Sequence, residues 1–174
     1  MQKTLKGVNM IKQAKRIIEA IHEVTCMDDV QAGFPDANGN TNVTWCNRAL
    51  HRMLVILSGD VSLLLEPRGI NWTNANAMFK NLKERAEKIA DGKTAQSLAN
   101  DGNLIAAAAP NAAGPGHVAL VCPDEYLYTE SKGARIGQAG ARTGFMYLKE
   151  GFAHLASAVE YFLIPYVPQR GENE

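Results

Sequence analysis

Nowhere does the chain run to the roughly eighteen consecutive apolar residues that read as a membrane-spanning helix, because charge or proline interrupts each longer candidate. Membrane insertion is therefore not expected. Lys3 and Lys6 are followed by alternating Lys, Arg and Glu through residue 23 rather than by the unbroken apolar core of a secretory signal. The expectation is a soluble protein made in the cytoplasm without a signal peptide, or one that has lost its leader. An excess of one charge is missing too. Lys plus Arg and Asp plus Glu number 18 each, which argues against nucleic acid as a partner, since such binders carry a basic excess or stripe. Three cysteines, Cys26, Cys46 and Cys122, are too few and too scattered for a disulfide framework. At most a single Cys26–Cys122 bridge remains open.

What is present fits one globular unit. At 174 residues a single core buries roughly 70% of the surface of the unfolded chain. In residues 5–24, Val8, Ile11, Ala14, Ile17, Ile18, Ile21 and Val24 recur every three or four positions and predict a helix. Residues 26–44, with Gly33, Pro35, Asp36, Asn38, Gly39 and Asn40, read as a loop. A second helix starts at Thr44 or Trp45 and ends at Ser58-Gly59. A third opens at Asn74 or Asn76, holds Ala86, Ile89 and Ala90, and ends near Gly92; Thr94 caps a short fourth helix over 95–100. Strands are expected at 104–109, 117–122, 126–128, 134–138, 144–148 and 159–164, with a helical turn at 152–158. Helices first and strands later indicate an α+β fold with an antiparallel sheet. The organisation read from this is an N-terminal helix and lead-in at 1–30, one catalytic domain at 31–168 and a frayed tail at 169–174.

Cys46 stands at the start of the second helix, where free backbone N–H groups and the helix dipole favour a thiolate. His117 opens an apolar strand after Gly114-Pro115-Gly116. A thiol, an imidazole, a group that orients the imidazole and donors for an oxyanion make up a thiol hydrolase. The other histidines fit less well: His22 and His154 read as surface or filler residues, and His51 lies more than a turn beyond Cys46 on the same helix. For the orienting group the candidate is Gln138, whose amide oxygen can accept an imidazole N–H, with Glu130 as runner-up. The Cys46 backbone N–H, with Asn42 or Asn47, is the candidate oxyanion donor set. No metal or organic cofactor is called for.

Thr44-Trp45-Cys46-Asn47-Arg48 at a helix start, Ala99-Asn100-Asp101-Gly102-Asn103-Leu104-Ile105 leading into Gly116-His117-Val118-Ala119-Leu120-Val121, and Ile136-Gly137-Gln138-Ala139-Gly140 further on, in that order, resemble the NlpC-like and CHAP-type cysteine amidases and peptidases. These are papain-like hydrolases of bacterial or phage origin that cut peptidoglycan. The resemblance covers roughly residues 40–165. It implies a papain-like domain in which Cys46 is the nucleophile, His117 the general base and acid, and Gln138 the third member. It also implies a peptidoglycan peptide as substrate, cell-wall degradation after phage release or secretion, and an immunity or delivery partner. Two other readings stay open: a papain-like acyltransferase or deconjugating peptidase, and a non-catalytic binding module in which Cys46 is merely buried.

Overall fold

The computed structural model describes residues 2–35, 38–39, 45–64, 74–124 and 128–167, with side chains from residue 11 on. Five α-helices and six strands are described: α1 (Gln2–Thr25), α2 (Cys46–Ile56), α3 (Ala75–Arg85), β1 (Glu87–Ile89), α4 (Gly92–Asn100), β2 (Leu104–Ala109), β3 (His117–Val121), β4 (Arg135–Gln138), β5 (Gly144–Tyr147), α5 (Leu148–Phe152) and β6 (Glu160–Ile164). The strands form one antiparallel sheet in the order β1-β6-β2-β3-β4-β5. The fold is α+β.

Both faces of the sheet are covered, which explains the unbroken apolar run of β2. Leu104, Ala106 and Ala108 of β2 join Val118, Leu120 and Phe162 against α1, α2 and α3. Ile105, Ala107 and Ala109 join Ala119, Val121 and Ile136 against the side of α4, α5 and the 3-10 turn Ala153–Ala158. A strand buried on both faces loses the apolar–polar alternation of a half-exposed one. The alanines bring the helices close to the sheet.

The C-terminal part of α1 belongs to this core. Ile17, Ala20, Ile21 and Val24 of α1 are fully or almost fully buried with Leu50, Met53 and Leu54 of α2. The spacing of Cys46, Ala49, Leu50, Met53 and Leu54 puts α2's apolar stripe on the sheet. The turn that follows α1 is tied to α2: a 3-10 turn at Asp28–Val30 sets Asp29 to pair with Arg52 and, at 3.3 Å, with Arg48.

The element order differs from the expectation in three places. Helices do not all precede the sheet, because β1 comes before α4 and α5 lies between β5 and β6. The third helix stops at Ala86, whose backbone is extended (φ −100°, ψ 155°). Glu87–Ile89 then pair with Leu163, Phe162 and Tyr161 of β6. Lys83 and Lys88 both reach Glu160 of β6, at 2.9 and 2.6 Å, and fasten that edge. The cap of α4 is Asp91 rather than Thr94. Its carboxylate accepts from the Thr94 N–H at 2.7 Å and holds the Asp91 pKa below its ordinary value. The strand expected at 126–128 and the tail at 169–174 lie outside the described residues, apart from Tyr128. Among the described residues no helix is long and apolar enough to cross a membrane.

Candidate active site

Cys46 is the first residue of α2, and Trp45 before it provides no side-chain cap. The first-turn N–H groups of a helix have no partner within the helix. Here the Asn47 N–H, joined by the Val118 N–H of β3, is directed at the Cys46 sulfur. Trp45 is held by its indole N–H to the Phe34 carbonyl at 3.0 Å, and the Arg48 guanidinium lies 4.0 Å over its ring.

His117 arrives from the other direction. It is the first residue of β3, opposite Ala109 of the central strand. Asn76 near the start of α3 fastens the preceding turn with three hydrogen bonds: its amide donates to the Asn111 and Gly114 carbonyls (3.2 and 3.0 Å) and its oxygen accepts from the Asn111 N–H (2.8 Å). Gln138 closes β4. The register that pairs Leu120 with Gly137 carries Gln138 across from Ala119, on the same face as His117 and one diagonal step from it. The Gln138 side chain is buried and lies 2.5 Å from His117 Nε2 through its Oε1. Its Nε2 donates to the Arg142 carbonyl at 3.2 Å. Because a carbonyl can only accept, that second bond fixes which way the amide points. Gln138 Oε1 therefore accepts from the His117 Nε2–H, and Nδ1 is the nitrogen left for the thiol. Phe152 packs edge-on against the imidazole, with ring centroids 4.7 Å apart.

The electrostatics distinguish Cys46 from an ordinary buried cysteine. Burial pushes both buried thiols up. In Cys122, whose thiol donates to the Pro123 carbonyl at 3.2 Å, the charge of Arg135 opposes burial only weakly, Asp124 adds to it, and the pKa is pushed up to about 12. At Cys46 burial is again the largest influence, but the hydrogen bond and charge of His117, with the Val118 and Asn47 N–H groups, outweigh it and the pKa ends below its ordinary value. His117 behaves reciprocally: burial lowers it, and the hydrogen bonds and charge from Cys46, together with Gln138, raise it above its ordinary value. Each group favours the charged form of the other, as in a thiolate–imidazolium pair.

Cys46, His117 and Gln138 are thus together. Glu130 is not beside His117; it is exposed and accepts from the Tyr128 hydroxyl at 3.3 Å. Asn47 supplies a backbone N–H to the sulfur, and Asn42 lies outside the described residues. His51 is lowered by burial and by Arg52, the opposite of what a thiolate partner shows. All three cysteines are free, with Cys26 exposed, so there is no Cys26–Cys122 bridge.

Four residues at the site had no sequence signal strong enough to single them out: Arg142, Gly151, Phe152 and His154. With His117 and Gln138 they line a cleft of about 530 Å³, a size within the range of about 300–1,000 Å³ for small-molecule sites. His154, set aside above as filler, is exposed in its wall. Gly151 permits the closest approach. A Cβ there would stand 2.5 Å from Gln138 Oε1 and 2.7 Å from Ile136 Cδ1. Gly151→Ala is expected to push the Gln138 amide off the imidazole and lower kcat/KM by about 10- to 100-fold, the scale for losing a group that orients a reactive histidine. Steady-state turnover by a folded variant, matched to wild type by circular dichroism, checks this; undiminished turnover would show that Gln138 does not act through that contact.

No protein-family model matches the chain, and no curated protein sequence matches it.

Proposed function

We propose that the protein is a cysteine amidase or endopeptidase with a papain-like arrangement, acting on amide bonds of peptidoglycan peptides. One observation carries the chemical part: of two buried thiols, the one at a helix start facing His117 is shifted toward the thiolate, while the other is pushed up to about 12. The fold supports the arrangement, with the nucleophile's helix packed on one face of an antiparallel sheet and the histidine and glutamine on neighbouring strands. The substrate class rests on the resemblance of the segments around Cys46, His117 and Gln138 to the NlpC-like and CHAP-type enzymes.

In the first half-reaction the Cys46 thiolate adds to the scissile carbonyl carbon, forming the C–S bond and an oxyanion. The Cys46 backbone N–H, at the uncapped start of α2, is the candidate donor to that negative charge, since the Asn47 N–H already serves the sulfur. As the C–N bond breaks, the His117 imidazolium gives its proton to the departing amine. In the second half, His117 takes a proton from water, the hydroxide adds to the thioester, and the carboxylic acid product leaves as Cys46 is restored as the thiolate and His117 as the imidazolium. Gln138 holds the ring through Nε2–H in both halves without adding a charge.

The test is digestion of purified muropeptides by the protein, read by mass spectrometry for shortened stem peptides with a new carboxyl group on one product and a new amine on the other. Failure to release such products from any muropeptide class would overturn the substrate assignment. Transfer of the acyl group to an added amine instead of water would move the same thioester chemistry to the acyltransferase reading.

A further inference from the structure

We infer that Asn76 of α3 is a positioning residue for the reacting pair, setting the place of His117 through the turn at residues 110–116. This role rests on the amidase reading above, in which Cys46 and His117 act together. The His117 ring is held at its far end by Gln138 and Phe152, but its backbone is delivered by the turn that joins β2 to β3. Much of that turn is at the surface, with Ala112, Ala113 and Pro115 exposed. The sheet register reaches only as far as the Ala109–His117 pair.

Asn76 supplies what the sheet does not. An amide side chain offers an acceptor oxygen and two donor hydrogens, and the turn uses all of them: Oδ1 takes the Asn111 N–H, and Nδ2 gives to the Asn111 and Gly114 carbonyls. Asn111 carries the order onward, its own amide donating to the Pro115 carbonyl at 3.2 Å and accepting from the Ala113 N–H at 3.0 Å. Gly116, the residue before His117, is buried against the Asn76 amide. A Cβ there would stand 2.5 Å from Asn76 Oδ1 and 2.7 Å from the Ala109 carbonyl oxygen. The helix beneath is secured by other residues: Ala75, Met78, Phe79 and Leu82 bury α3 in the core, and Asn74 caps it by accepting from the Ala77 N–H at 2.9 Å. Alanine is also the better helix former, so α3 itself does not need the Asn76 side chain. What that side chain holds is the path into His117. Reacting groups misplaced by about 1 Å lose on the order of 10²-fold in rate, so a small shift of the turn is enough to uncouple the imidazole from Cys46.

The experiment follows iodoacetamide alkylation of Cys46 against pH, with Cys26 replaced by serine, because this reads the pair without any substrate. Asn76→Ala is expected to raise the inflection by about half or more of the rise that His117→Ala produces. On muropeptides it should lower kcat by about 10- to 100-fold with KM little changed, in protein whose circular dichroism matches wild type. Gly116→Ala strikes the same contact from the other side and provides the test if Asn76→Ala does not fold. It should raise the inflection likewise, and the two changes combined should cost less than the product of the single losses, since one of the two atoms that the new Cβ meets is then gone. Folded Asn76→Ala protein with wild-type inflection and kcat, and only a lowered melting temperature, overturns the positioning role and leaves the pair standing. A wild-type inflection at the free-thiol value, unmoved by His117→Ala, overturns both. Muropeptides left uncut by a wild type with a low inflection overturn the substrate alone, and the alkylation shift still decides the role of Asn76.

Discussion

Replacing Cys46 by alanine is expected to lower product release from muropeptides by about 10^4-fold or more, and replacing His117 by alanine by about 10^3- to 10^4-fold, with the double variant no worse than Cys46→Ala alone. The lack of additivity is the informative part, because two groups that act as one ion pair cannot be lost twice. The same coupling predicts a pH signature. Since the Cys46 pKa lies below its ordinary value and the His117 pKa above its own, both shifts enlarge the share of the reactive thiolate–imidazolium form. Activity should rise as the thiolate forms and fall as the imidazolium loses the proton needed by the leaving amine; the two limbs belong to the pair as a unit. Iodoacetamide alkylation isolates the thiol. It is best followed with Cys26, the exposed cysteine, replaced by serine. In wild type the alkylation inflection should lie below that of a free thiol. In His117→Ala the desolvation of Cys46 is left opposed by the Val118 and Asn47 N–H groups alone, so the inflection moves up and the rate at neutral pH drops. An inflection at or above the free-thiol value in wild type, unmoved by His117→Ala, would identify Cys46 as an inert buried cysteine in a binding module.

These three residues were legible in the sequence because each stands at an element boundary. Cys46 starts a helix after a polar loop, His117 starts a strand after a Gly-Pro-Gly turn, and Gln138 ends a strand before Ala139-Gly140. Boundary residues are marked locally by turn chemistry and by the onset of periodicity. Arg142, Gly151, Phe152 and His154 are not marked in this way. Their place at the cleft depends on β5 pairing back onto β4 and on α5 folding against Gln138, contacts that no local pattern encodes. β1 was hidden for a related reason. Ala86, Ile89 and Ala90 continue the helical spacing of α3, and pairing with β6, more than seventy residues along the chain, makes 87–89 a strand. The two-sided burial of β2 was readable from its continuous apolar run. Which helices cover which face was not, since an alanine looks the same from either side.

Gly137→Ala is expected to destabilise the fold by about 2–3 kcal/mol, the upper part of the range for overpacking a filled core, lowering the melting temperature by roughly 5–10 °C for a chain of this size. Gly137 lies in β4 between Leu120 of β3 and Phe145 of β5, and its bare backbone is where α1 meets the sheet. A Cβ there would meet Ile21 Cγ2 at 2.2 Å, Cγ1 at 2.8 Å and Cδ1 at 2.9 Å. Ile21 is completely buried, and a β-branched side chain on a helix has essentially one χ1 rotamer, so it cannot turn aside. Either α1 lifts from the sheet or β4 bends. Bending β4 carries Gln138, the next residue, away from His117, so activity should fall further than the loss of folded protein accounts for. Ile21→Ala provides the check: alone it opens a cavity and destabilises, but combined with Gly137→Ala the added methyl occupies part of the space vacated. The double variant should therefore melt above the sum of the single effects, by a coupling of about 1 kcal/mol or more, and recover part of the turnover lost in Gly137→Ala. Strict additivity in thermal melts would mean that α1 does not bear on β4 at this point. Coupling in both melting and turnover would make the N-terminal helix a support of the Gln138 strand.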